Sequence, residues 1–128
     1  MKNYAIKEHH LYNKAFQRGT RFVGRMLAVY VLRDYAAKRL MLANPQKQYL
    51  NRVGLSVSKK LGGAVPRNRA KRLLRESYRL ICQREPIKKG FLVVLVAREE
   101  IKGKKTPEVE REMRRALRVL GMLEEKKA

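Results

Sequence analysis

Apolar positions along the chain follow two periods, and each marks its own elements. Three runs read as strands. Residues 26–32 are almost continuously apolar and residues 91–97 wholly so, as expected of strands covered on both faces. Residues 52–58 alternate, with Val53, Leu55 and Val57 on one side and Arg52, Ser56 and Ser58 on the other. Three further segments carry helical spacing. The first covers residues 9–18 and stops at Gly19; it turns Leu11, Ala15 and one or other of Tyr12 and Phe16 toward a core. The second begins with Pro66 in its first turn and runs to residue 84, with Ala70, Leu73, Leu74, Ser77, Leu80 and Ile81 sharing one face. The third follows Thr106-Pro107, read as an N-cap and first-turn pair, with Glu108 and Glu110 near its positive end. Its stripe is Val109, Met113, Ala116, Leu117 and Leu120. The order helix, strand, strand, helix, strand, helix predicts an α+β fold with helices packed on a small sheet. Residues 34–49, with a turn at Asn44-Pro45, are either strand extensions or a loop.

A chain of 128 residues with 45% hydrophobic positions fits a single domain with a real core, expected over about residues 9–121 with short flexible termini. Charge changes the picture. The net charge of +21 far exceeds what solubility needs, so a polyanion is expected, nucleic acid first and an anionic membrane surface second. Residues 1–97 hold 22 Lys/Arg against 4 Asp/Glu, whereas residues 98–128 hold 10 against 7, so the tail reads as scaffold. The single Cys82 excludes an internal disulfide and a cysteine zinc site, which suits a reducing compartment. No apolar run approaches the roughly 18 residues of a membrane span, and the expected location is the cytoplasm.

Catalytic chemistry finds little support. A metal-dependent nuclease needs clustered carboxylates, but Asp34 is the only aspartate, and the glutamates before residue 98, Glu8, Glu76 and Glu85, are scattered. His9 and His10 are neighbours on a helix, about 100° apart, and make a poor acid–base pair. Cys82 reads as a packed thiol, and Lys60-Leu61-Gly62-Gly63 lacks the ending of a phosphate-binding loop. The expectation is no catalytic residue and no protein-bound metal.

Residues 59–79 carry eight Lys/Arg against one Glu. On the second helix Arg67, Asn68, Arg69, Lys71, Arg72, Arg75 and Arg79 form a basic arc behind the apolar stripe, suited to several phosphates at once. The order of residues adds more than charge. Val57-Ser58-Lys59-Lys60, Gly62, Ala64-Val65 and Arg67-Asn68-Arg69, followed by Lys71-Arg72 and Arg75-Glu76, closely resemble the protein subunit of bacterial ribonuclease P. Leu11–Phe16 resembles that family's first helix, residues 52–58 the strand that feeds its basic loop, and residues 91–98 its hydrophobic strand ending in Ala-Arg.

The resemblance implies a ribonuclease P protein-like fold (ribosomal S5 domain 2-like), a two-layer sandwich of a small mixed sheet and helices with a left-handed βαβ crossover. It implies a subunit that binds the catalytic RNA and the 5′ leader of precursor tRNA, while the RNA performs the cleavage with Mg²⁺. No membrane and no obligate protein partner are expected. The family's aromatic leader-stacking positions fall on Tyr12, Phe16 and Tyr30; as residues alone, Phe16 and Tyr30 have the lesser alternative of being simply core. Its RNA contacts fall on Arg67, Asn68 and Arg69, with Lys71, Arg72, Arg75 and Arg79 along the helix and Lys59 and Lys60 before it. A structural ribosomal or nucleoid protein would share the charge but needs no such ordered motif. A self-sufficient nuclease lacks the acids.

Overall fold

The computed structural model describes residues 2–36, 39, 42–43 and 49–124. The strands are β1 (Lys2–Ala5), β2 (Thr20–Val23), β3 (Leu27–Arg33), β4 (Tyr49–Val57) and β5 (Phe91–Ala97). The helices are α1 (His9–Arg18), α2 (Ala64–Arg84) and α3 (Thr106–Val119). Short 3₁₀ turns at Lys59–Leu61 and Glu99–Ile101 follow β4 and β5. Among the described residues the strands form one sheet in the order β1-β4-β5-β3-β2. β1 runs parallel to β4 and β4 parallel to β5, while β3 is antiparallel to both β5 and β2. The pair β4–β5 is joined through α2, as parallel neighbours require a crossover.

The continuous apolar character of β3 and β5 follows from their central positions. Val29 pairs with Leu95 and Val31 with Val93 on one face; Tyr30 pairs with Val94 and Leu32 with Leu92 on the other. The first face meets α2 and α3, where Leu74, Ile81, Met113 and Leu117 are fully buried against Val29, Val93 and Leu95. Each such side chain contributes about 1.5–3 kcal/mol by leaving water. The second face carries a smaller cluster, Ile6, Ala15, Leu92 and Val94, under α1. The sheet and the α2–α3 pair are therefore the two expected layers, and α1 covers part of the opposite face.

Several local expectations shift. β1 and β2, four residues each, are too short for a two-residue period to reveal, and β1 brings residues 2–5 into the sheet. On α2 the buried position is Tyr78, whereas Leu80 is only half-buried. The rest of the expected stripe, Ala70, Leu73, Leu74, Ser77 and Ile81, is buried, and Tyr78 joins it beside Asn51, itself buried on β4. Its Nδ2 donates to the Tyr78 hydroxyl at 3.3 Å and to the Lys88 carbonyl at 2.9 Å, and its Oδ1 accepts from the Phe91 amide at 2.8 Å. Thr106 is the first residue of α3 rather than its cap; Lys105 takes that place, with no side-chain capping bond. Most of the 34–49 link, including the expected turn at Asn44-Pro45, lies outside the described residues.

Candidate nucleic-acid interface

α2 begins at a turn that the local sequence shapes. The Ser58 hydroxyl accepts from the Lys60 amide at 3.2 Å, and Gly62 then takes φ 118°, a conformation that side-chain-bearing residues rarely adopt. Lys59 and Lys60 stand exposed on this turn. The helix that follows has no acidic residue in its first turn, so its positive end adds to the charge of Arg67 and Arg69. Asn68, Arg69, Arg72, Arg75 and Arg79 are exposed, and Arg67 and Lys71 are half-buried. The helix thus presents the expected basic arc, backed by Ala70, Leu73, Leu74, Ser77 and Ile81.

The acids are disposed so that this arc keeps its charge. Glu110 pairs with Arg84 and Arg114, both at 2.9 Å, and Glu85 pairs with Arg114 at 2.9 Å. The Glu112 carboxylate accepts from the amides of Arg25 and Met26 at 2.7 and 2.9 Å and so ties the β2–β3 turn to α3. Asp34 takes Arg52. Among the described residues, Lys59, Lys60, Arg67, Arg69, Lys71, Arg72 and Arg75 make no ion pair. Arg79 differs from these because Glu76, one turn away, binds its guanidinium, lowering the carboxyl's pKa and raising that of the arginine. No three His, Cys, Asp or Glu side chains converge as a metal site among the described residues.

The three aromatic positions come together only in part. Phe16 and Tyr30 form an edge-to-face pair with centroids 4.9 Å apart and planes at 86°. Phe16 stays 38% exposed, while Tyr30 is half-buried and packs against the cluster of Ile6, Ala15, Leu92 and Val94, so the pair links the surface to the core. Tyr12, one turn earlier on α1, lies against the Gly54 backbone, where a Cβ would sit 2.6 Å from its ring. Tyr12 also reaches a groove of about 1080 Å³ between α2 and the β1–β4 edge, which Lys71, Arg75 and Arg79 line from the helix side. Phe16 and Tyr30 are not part of that lining.

Some neighbours of these residues escape a sequence reading. Arg25 and Arg98 share a smaller depression of about 480 Å³ with Lys60, although they are 35 or more positions away from it. Arg69 donates to the Lys104 carbonyl at 3.5 Å, so a loop of the supposed scaffold tail adjoins the Arg67-Asn68-Arg69 motif. Tyr4 and Lys89 line the large groove. None follows a local pattern; the sheet order and the packing of α3 on α2 bring them there.

Comparison with known proteins gives the same assignment from other evidence. The family model described as Ribonuclease P matches residues 1–121. The ribonuclease P protein component of Clostridium acetobutylicum is 33% identical over 123 residues, covering 96% of this chain and 93% of the relative. That of Clostridium beijerinckii is 35% identical over 121 residues, covering 93% and 90%. Among solved structures, the Staphylococcus aureus RNase P protein superposes with a TM-score of 0.71 at 25% identity, covering 96% of this chain and all of that one. The Thermotoga maritima RNase P protein shares the fold, with a TM-score of 0.67 at 22% identity over 92% and 96% of the two chains. With its motif, its sheet order and its full-length likeness in agreement, the chain belongs to the ribonuclease P protein component family, whose role is RNA binding in precursor-tRNA processing by an endoribonuclease in which RNA carries the catalysis.

Proposed function

We propose that this chain binds ribonuclease P RNA and the 5′ leader of precursor tRNA, and so promotes removal of the leader to leave the mature 5′ end. One observation carries this reading: Tyr12 from α1 and Lys71 and Arg75 from α2 line a single groove, so a stacking ring and unpaired cations face the same space. Stacking holds bases without reading them, and free cations neutralise the phosphates between them. That combination suits leaders of varied sequence. The exposed Phe16, set edge-to-face on half-buried Tyr30, offers further stacking surface.

In this reading Lys59, Lys60, Arg67, Asn68, Arg69 and Arg72 contact the catalytic RNA, together with the exposed part of Arg79. Mg²⁺ acts through the RNA, since the chain's own carboxylates are dispersed or engaged with arginines and backbone amides. The protein positions substrate and holds no reacting proton. The proposed location is the cytoplasm; no helix among the described residues is long and apolar enough to cross a membrane.

The test compares precursor and mature tRNA binding by the complex reconstituted with ribonuclease P RNA. Replacing Tyr12 or Phe16 by alanine weakens precursor binding roughly five-fold or more, the lower end expected for one lost base stack. Mature tRNA binding stays at the wild-type level. Equal losses on both substrates contradict the reading.

A further inference from the structure

One end of the sheet gathers cations away from the large groove. Parallel strands joined by a helix present the loops at their carboxyl ends on one side, and β3, antiparallel to β5, brings the β2–β3 turn to that same side. Arg25 from this turn, Lys60 from the turn after β4 and Arg98 from the end of β5 line the depression of about 480 Å³, with Ser58, Glu99 and Glu100 as its other polar walls. It shares no lining residue with the large groove.

The β2–β3 turn is held more firmly than an exposed turn requires. The amides of Arg25 and Met26 donate to the Glu112 carboxylate at 2.7 and 2.9 Å. The Gly24 amide donates to the Leu27 carbonyl at 2.8 Å, and the Arg98 amide donates to the Met26 carbonyl at 2.9 Å. Gly24 leaves room for the carboxylate, since a Cβ there would sit 2.6 Å from the Glu112 carboxyl carbon. The Arg98 guanidinium donates to the Gly24 carbonyl as well. All these bonds leave the Arg25 side chain aside. It is exposed, and like Lys60 it makes no ion pair among the described residues. A cation on a turn fixed in advance loses little freedom when it binds.

Glu99 and Glu100 narrow the kind of anion that fits. A phosphate dianion or an acidic peptide would only add to their negative charge. An RNA phosphodiester carries a single charge and brings a ribose 2′-hydroxyl that can donate to a carboxylate. The neighbouring elements point to the source of that backbone. The turn carrying Lys60 leads into α2 and its Arg67-Asn68-Arg69, and Arg69 donates to the Lys104 carbonyl on the loop that follows Glu100.

We propose that this depression is a subsite for the backbone of ribonuclease P RNA, in which Arg25, Lys60 and Arg98 hold a phosphodiester and Glu112 is the positioning residue that sets the Arg25 turn. The inference rests on the reading that the basic motif of α2 faces that RNA. It adds the β2–β3 turn and the end of β5 to a surface otherwise made of α2 and the turn before it.

The experiment measures the affinity of the full chain for ribonuclease P RNA across a salt series, before any tRNA is added. Arg25→Ala weakens binding and lowers the slope of log affinity against log salt by roughly one, the signature of one lost phosphate contact. Arg25→Lys keeps the slope. Both variants retain the main-chain amide, so the bond from this position to Glu112 survives. Glu112→Ala weakens binding in the wild-type background and has no further effect on binding once Arg25 is alanine; a merely structural role would weaken both alike. In the assembled complex, Arg25→Ala leaves the preference for precursor over mature tRNA unchanged. A wild-type slope for Arg25→Ala, or a lost precursor preference with RNA affinity intact, overturns the proposal. Arg69→Ala separates the subsite from the reading beneath it. If it weakens RNA binding while Arg25→Ala does not, the subsite is wrong and the reading of the α2 motif stands. If neither weakens it, that reading fails as well.

Discussion

Arg52 grips Asp34 with two parallel bonds, Nε to Oδ2 at 2.6 Å and Nη2 to Oδ1 at 2.8 Å, and the same guanidinium reaches Glu8 at 3.3 Å. The pair joins β4 to the end of β3, and Glu8, the cap residue of α1, adds the helix start to the same cation. The Arg52 and Asp34 side chains are 11% and 4% exposed. Removing one partner of so shielded a pair leaves the other charge uncompensated, which costs about 3–5 kcal/mol. Asp34→Ala should lower unfolding stability by that order in urea melts. Arg52→Ala should lose at least as much as Asp34→Ala, because it strands the more buried carboxylate and also releases Glu8, and the double variant should lose less than the two singles added. Strict additivity would show that the bonds contribute nothing as a pair.

Gly54 is the second point at which α1 is fixed. An alanine Cβ would meet three atoms of the Tyr12 side chain, each at 2.6 Å, so either the ring or the helix must move. Gly54→Ala should destabilise by about 1–3 kcal/mol, as overpacking does. Adding Tyr12→Ala should recover most of that loss. A double variant as unstable as the sum of the singles would place the strain elsewhere.

Burial pushes the Tyr78 hydroxyl above its ordinary pKa, against a smaller opposing effect from its bond with Asn51. The folded protein therefore keeps a proton that the unfolded chain releases above about pH 10. Stability from this group is fully present below that pH and is lost as pH rises further. Tyr78→Phe should be less stable at neutral pH by about 0.5–1.5 kcal/mol for the hydrogen bond. It should also show a shallower alkaline decline than wild type, measured by urea melts at stepped pH. Parallel declines would contradict a buried, protonated hydroxyl.

The arc on α2 predicts a salt signature. Each phosphate left without its cation should reduce the slope of log affinity against log salt by roughly one. Lys71→Ala and Arg75→Ala should each do so for precursor tRNA, with a smaller change for mature tRNA. Arg79→Ala should have less effect, because Glu76 already takes part of its charge. Identical slopes for wild type and variants would remove these residues from the interface.

How much of this arrangement is legible in the sequence depends on the range of the interactions involved. α1 and β5 are bounded where the apolar spacing and Gly19 place them, because period and stop signal are local. The basic arc is legible for the same reason, since Arg67 to Arg75 occupy successive turns of one helix. Tyr78 is hidden because its polar partner, Asn51, lies 27 positions earlier on β4, a contact that no local pattern marks. β1 is hidden because a four-residue strand has too few alternations to register, and only its parallel pairing with β4 brings it into the sheet. The Lys104 loop reads as scaffold on charge balance, yet the packing of α3 on α2 carries it to Arg69.

The most direct test of the central claim is cleavage of 5′-extended precursor tRNA at low Mg²⁺ by the RNA alone, by the RNA with this protein, and by the protein alone. The account predicts that adding the protein to a bacterial ribonuclease P RNA raises the cleavage rate, and that the protein by itself releases no leader. No improvement over RNA alone, or cleavage by the protein without RNA, would contradict it.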